Sequence, residues 1–133
     1  MSADVFHFVI EQGSDWPRQV VIKNDDGTVI KLVGASAQLQ VRAAPGNTQT
    51  VVALSTSDGS MTLDGPNGKL SWNLPGAQTA AISIPAVLPV PLGPKGSGYL
   101  LGGYDLLVKD GSGRLIKYLT GNVYLIPDYT RPF

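Results

Sequence analysis

Glycine and proline interrupt this sequence so often that no long helix fits between them. The 16 glycines and 10 prolines are about a fifth of the 133 residues. The segments they separate are short and rich in Val, Ile, Leu, Thr and Tyr. Proline lacks a backbone donor, glycine weakens element interiors, and β-branched and aromatic residues suit a pleated surface. Such punctuation predicts about eight short strands joined by turns. No alternation of helix and strand suggests a parallel sheet. The expected fold is therefore all-β: an antiparallel β-sandwich, immunoglobulin-like, with a small β-barrel as the alternative. No linker or internal repeat divides the chain, so residues 1–133 are read as one domain.

Individual strands follow from local pattern. Val5–Ile10 reads as the first, ended by Glu11-Gln12-Gly13-Ser14-Asp15. Trp16-Pro17 opens a second that continues through Lys23, since proline is tolerable at a strand start. Asn24-Asp25-Asp26-Gly27 predicts a hairpin turn that returns through a third strand, Thr28–Leu32. Ala37, Leu39, Val41 and Ala43 alternate with Gln38, Gln40 and Arg42, the mark of a strand with one face in the core. Pro45-Gly46-Asn47 breaks that strand. Val51–Leu54, Met61–Leu63 and Lys69–Leu74 follow, the last with Leu70, Trp72 and Leu74 on one face. Pro75–Ile82 is the one stretch with helical composition, enough for a turn or two. The closing hairpin runs from Tyr104–Val108 through Asp110-Gly111-Ser112-Gly113 to Arg114–Ile126. Gly102-Gly103, just before it, predicts a bulge or the close approach of another backbone.

Composition removes several function classes. The chain has no cysteine, which rules out disulfides, thiolate metal sites and catalytic thiols. Ten basic and ten acidic residues cancel, and none form a basic stripe, so nucleic acid is not an expected partner. No apolar run approaches the ~20 residues of a membrane span, and Met1–Ile10 lacks a basic leader, so neither membrane nor signal peptide is expected. His7 is the single histidine and reads as a packed or surface residue. No nucleophile-elbow motif or calcium loop is complete, and the Asp-Gly pairs are explained by turn chemistry. No catalytic, metal or cofactor residues are assigned.

One stretch breaks the strand grammar. Ser83–Gly98 carries Pro85, Pro89, Pro91 and Pro94 among Ile84, Val87, Leu88, Val90 and Leu92. That spacing forbids a helix interior and a central strand, leaving extended chain or a long loop. Its apolar side chains are hard to bury within a small sandwich. The segment either projects as an arm that meets a partner or folds back over one end of its own sandwich, and the arm is the favoured reading. Ile84, Val87, Leu88, Val90 and Leu92 are the candidate partner-binding residues. Trp16 joins them, because its place beside a turn suits a surface role as well as a core one. Trp72, alternating with leucines, reads as core.

The order of these motifs resembles a known group. Glu11-Gln12-Gly13-Ser14-Asp15, Asp26-Gly27-Thr28, Leu32-Val33-Gly34, the alternating Ala37–Arg42, Gly68-Lys69-Leu70, Tyr104–Val108, Leu119-Thr120-Gly121-Asn122-Val123 and Thr130-Arg131-Pro132 follow one another as in small β-sandwich proteins of phage and prophage tails, similar to the amino-terminal domain of baseplate upper proteins. The resemblance implies a bacteriophage virion structural protein of the tail, baseplate or fibre-attachment class, made in the host bacterial cytoplasm. It implies assembly with other virion proteins, homo-oligomers (commonly trimers) and no catalysis. A capsid decoration or cement protein is one alternative. A carbohydrate- or receptor-binding module using Trp16 and exposed tyrosines is another. Ser83–Gly98 is longer and richer in proline than the group's pattern.

Overall fold

The computed structural model describes residues 4–24, 26–46 and 49–128. Asp25, Asn47 and the Thr130-Arg131-Pro132 motif lie outside the described residues. In chain order the elements are β1 (Asp4–Val5), β2 (Phe8–Glu11), β3 (Trp16–Val21), β4 (Ser36–Arg42), β5 (Val52–Ser55), β6 (Met61–Asp64), β7 (Lys69–Leu74), α1 (Gly76–Ala80), β8 (Val90–Pro91), β9 (Ser97–Lys109) and β10 (Leu115–Ile126). A 3-10 turn at Gly93–Lys95 separates β8 from β9.

The strands make two sheets. One runs β10–β9–β4–β5, with β1 and β2 along β10 and β8 beside the start of β9; the other is β3–β7–β6. Lettered in chain order, β3, β7 and β6 hold the B, E and D places, and β10, β9, β4 and β5 hold G, F, C and C′. This is the strand order of an immunoglobulin-like sandwich. Two separate sheets replace the closed barrel of the alternative.

The alternation in β4 puts Ala37, Leu39 and Val41 in the core, opposite Leu70, Trp72 and Leu74 of β7. Ala43 lies past the end of the strand and is exposed, unlike its expected place on the inner face. Each large apolar side chain so buried contributes roughly 1.5–3 kcal/mol. An immunoglobulin domain of the antibody kind ties its sheets with a disulfide beside a tryptophan on strand C. This chain uses an aromatic cluster. Phe8 of one sheet sits 5.5 Å from Trp16 and 5.8 Å from Trp72 of the other, and 5.1 Å from Tyr104. The two indoles are 5.7 Å apart at 64°. Such tilted and edge-to-face arrangements suit the ring quadrupoles. The Tyr104 hydroxyl donates to the Phe6 carbonyl at 2.7 Å. Burial, then the nearby Asp105 charge, pushes its pKa upward, so it stays a donor.

Two expected strands are corrected. Val5–Ile10 is not continuous, and it does not pair antiparallel. β1 and β2 both run parallel to β10, with Val5 opposite Thr120 and Phe8 opposite Val123. Phe6 and His7 lie between the two strands, beside Gly121 and Asn122 of β10. A Cβ on Gly121 would strike the Phe6 carbonyl, so glycine permits this close approach. His7 Nδ1 accepts the Asn122 amide at 2.9 Å in place of a ladder bond, which makes its role structural. Thr28–Leu32 is also not a strand; among the described residues its pairing is an isolated bridge between Lys23 and Val29, beside which the Ile30 amide donates to the Ile22 carbonyl at 2.9 Å. Leu32 instead donates to the Gly65 carbonyl at 2.7 Å, as the segment crosses the β6–β7 turn. Close backbone contact at Gly65 and Gly68 makes that crossing possible.

The closing hairpin is longer than expected at its start, with β9 beginning at Ser97. Register slips between Val123 and Tyr124, opposite Gly102 and Leu100, so the Gly102-Gly103 pair does mark a bulge. A Cβ on Gly102 would fall on the Arg42 carbonyl oxygen of β4. At the tip, Asp110 Oδ1 accepts from the amides of Ser112 and Arg114 at 3.0 and 2.9 Å, and from the Ser112 hydroxyl at 2.7 Å. The Ser112 hydroxyl bond chiefly holds this carboxyl below the usual aspartate range. Asp26 and Asp58 are held down in the same way, by Thr28 and Ser60. The Asp-Gly pairs at 26, 58 and 110 are thus turn devices.

Candidate partner-binding site

The proline-rich segment begins at a root that is tied down from both sides. Thr79, on α1, is fully buried. Its hydroxyl accepts the Gly13 amide at 3.0 Å, and its hydrogen lies between the Ser14 and Gly76 carbonyls at 2.8 and 3.0 Å. Asp15 Oδ1 accepts the Gly76 amide at 2.7 Å. Gln12, also buried, donates through Nε2 to the Ile82 carbonyl at 3.0 Å, and its Oε1 accepts the Asp128 amide at 3.2 Å. The turn Glu11–Asp15 therefore clamps α1 and the first residue of the arm's stem. A five-residue helix has little stability of its own, so this clamp is what holds it.

The Thr79→Val variant tests the clamp. It keeps the shape of the buried side chain and removes the hydroxyl, leaving the part-buried Gly13 amide without its acceptor. The expected cost is about 1–3 kcal/mol in denaturant unfolding. Hydrogen exchange should quicken most at Gly13. Unchanged exchange at that amide would show that the clamp is not held by this hydroxyl.

The far end of the segment is tied by sheet pairing. Val90 lies opposite Gly98 and Pro91 opposite Ser97. The Leu92 amide donates to the Gly96 carbonyl at 2.7 Å, closing a tight return through the 3-10 turn. Prolines were expected to exclude a central strand, and β8 obeys that limit, as two residues on an edge.

Between these anchors the chain stands free of the core. Leu88 is 87% exposed, and Ile84 and Val87 are each 47% exposed. Val90 and Leu92 are half-buried against the stem. Five of the six candidate residues thus fall on one segment, with Leu88 the most exposed of them. Trp16 does not join them. At 2% exposure it lies inside the aromatic cluster, so its assignment to a partner surface is corrected. Burial on β3 follows from its pairing with Leu74, which turns the indole toward Phe8.

Beside the root is a hollow of about 560 Å³ that the sequence did not indicate. Ala43, Val51, Ala81, Ile82, Pro85 and Leu101 line it, with Gln78 and Ser83 at its margin. Its walls come from four separate stretches of chain, which no local pattern links. Gln12 was missed for the same reason, since a polar residue in a turn gives no sign that it is buried. Among the described residues, no group of three or more His, Asp or Glu side chains comes together to hold a metal.

No family model matches the chain, and no curated protein sequence matches it. Among solved structures, extracellular domains 3–5 of Drosophila OTK are similar at 16% identity and a TM-score of 0.37, over 95% of this chain and 34% of that one. The chain thus spans about a third of the length of the OTK fragment. Tim-1 is similar at 12% identity and a TM-score of 0.39, over 99% of this chain and 100% of that one. The strand order, not these likenesses, carries the fold assignment.

Proposed function

We propose that this protein is a structural assembly module that binds other proteins through the arm at residues 84–92 and performs no catalysis. The exposure of Ile84, Val87 and Leu88 on a proline-stiffened segment supports this reading most. Three large apolar side chains left partly in water on an anchored segment gain stability only when something covers them. Restricted backbone at each X-Pro step lowers the entropy lost on docking. The resemblance in motif order supports reading that assembly as part of a bacteriophage virion, in the tail, baseplate or fibre-attachment class. The carbohydrate reading loses one of its aromatics with the burial of Trp16.

Deleting residues 84–89 and closing the gap with a short glycine linker tests the proposal. Removing all of 83–98 would also take β8 and the first residues of β9, so the shorter cut is the cleaner one. The deleted protein should give the sandwich's β-rich circular dichroism and a cooperative unfolding transition. It should be missing from purified particles assembled in its presence. Normal incorporation of a folded deletion protein would sink the proposal.

A further inference from the structure

The fold requires glycine at position 102 but not at 103. A Cβ on Gly102 would strike the β4 backbone. Gly103 does not take a positive φ, and an added Cβ would meet only the Gly121 carbonyl oxygen, at an ordinary 3.6 Å. It lies in β9 between Arg42 of β4 and Asn122 of β10. Glycine inside a strand packs nothing and loses more freedom on folding than any other residue. What it leaves here is a notch in the outer face of the larger sheet. The notch is part of a groove of about 600 Å³, within the roughly 300–1,000 Å³ of small-ligand sites. Register sets its lining. Gln40, Asp105 and Thr120 form one row across the three strands; Arg42, Gly103 and Asn122 form the next. These side chains are held in place by the protein itself. Arg42 donates to Gln40 Oε1 at 2.7 Å, Thr120 to the Tyr104 carbonyl at 3.2 Å, and Asn122 Nδ2 to the Tyr124 hydroxyl at 3.4 Å. Leu100, 39% exposed, and Leu107 bracket the two rows along β9.

We infer that this groove binds an uncharged saccharide, with one sugar ring seated over Gly103 between Arg42 and Asn122. The lining selects that class. Among the described residues, Arg42 and Asp105 are the charged groups in the groove, and they are of opposite sign. Lys117 Nζ also stands 3.5 Å from the Asp105 carboxylate. No concentrated positive field is present to draw in a phosphate or a nucleic acid. β9 is paired on both sides at this point, so no sheet edge is open for a peptide strand to extend. An apolar ligand would leave the amide, guanidinium and carboxylate groups of the groove without partners in place of water. A sugar ring satisfies them, because its neighbouring hydroxyls donate and accept together, as these planar groups require. Leu100 and Leu107 offer apolar surface to the ring's C–H face, and a strand glycine lets a ligand approach the backbone closely. Ordered side chains also lower the entropy lost on binding. The site uses neither Trp16 nor the arm, and so goes beyond the assembly reading without resting on it.

Amide NMR spectra of the full chain, titrated with uncharged trisaccharides of glucose, galactose, mannose and N-acetylglucosamine, test this. Sialyllactose serves as the anionic probe. At least one uncharged trisaccharide should shift the amides of Gly103, Asp105 and Asn122 saturably in the millimolar range, equally at low and high salt. Gly103→Val fills the notch. It should abolish those shifts while its unfolding midpoint stays at or above that of the wild type, because valine suits a strand. Asn122→Ala should weaken binding about tenfold. The protein lacking residues 84–89 should bind as the wild type does, so this inference and the assembly reading fail separately. No saturable shift with any of the four uncharged sugars would overturn the inference. So would binding that survives Gly103→Val, or a response to sialyllactose alone that salt removes. A Gly103→Val protein that does not fold would also overturn it, since glycine would then be a requirement of the fold.

Discussion

Replacing Trp72 with alanine is expected to destabilise the fold by about 3–5 kcal/mol, read as a lowered midpoint in chemical denaturation. A domain of this size has a total stability of only about 5–15 kcal/mol, so the variant should be partly unfolded near body temperature. The size of the effect follows from position. Trp72 touches both Phe8 and Trp16, and with them it joins the two sheets where no disulfide does. Alanine leaves a cavity between rings that three strands hold apart. Trp72→Phe separates packing from polarity. The Trp72 Nε1 atom is buried without a hydrogen-bond partner, so phenylalanine removes a donor that the core does not satisfy. Its expected cost is well below that of alanine. Equal losses in the two variants would mean that the ring's packing is not what holds the sheets.

Gly102→Ala is the second large effect, expected at about 3 kcal/mol from overpacking combined with backbone strain. The added methyl would land on the Arg42 carbonyl and near the Ala43 Cα, both backbone atoms of the neighbouring strand. Neither can swing aside as a side chain would, so β4 and β9 must separate at the bulge. Gly113→Ala is the control. Gly113 has φ of +92° but nothing within 4 Å of the added atom, so only the roughly 1–2 kcal/mol cost of the left-handed conformation remains. If the two alanines destabilise equally, close approach at Gly102 is not the constraint. Amide exchange across β4 and β9 should rise in Gly102→Ala and stay unchanged in Gly113→Ala.

Much of the fold is legible in the residues because much of it is local. The alternation in Ala37–Arg42 and in Lys69–Leu74 sets which side chains enter the core, since strand side chains point to opposite faces by turns. The aspartates at 26, 58 and 110 bond to residues two ahead, so their turns needed nothing distant. The failures share a cause as well. Thr28–Leu32 has strand composition, yet it pairs back on Lys23 only at an isolated bridge and gives the Leu32 amide to the Gly65 carbonyl. Val5–Ile10 looks like one strand, yet it is broken at Phe6-His7, where the Phe6 carbonyl packs against Gly121 of β10. Trp16 was ambiguous because nothing nearby in sequence says which face of β3 meets Phe8.

The arm divides in the same way. Its stiffness and its unfitness for a central strand are properties of Ser83–Gly98 alone, because each proline restricts its own residue and the one before it. The sequence by itself therefore determined that this segment would form neither a central strand nor a helix interior. Only the tertiary structure decided where it stands. The bond from Gln12 to Ile82 joins residues 70 apart in the chain, and the hollow draws Ala43, Val51 and Leu101 together from β4, β5 and β9 surroundings. Contacts at that separation depend on how two sheets settle against each other, and no run of neighbouring residues encodes them.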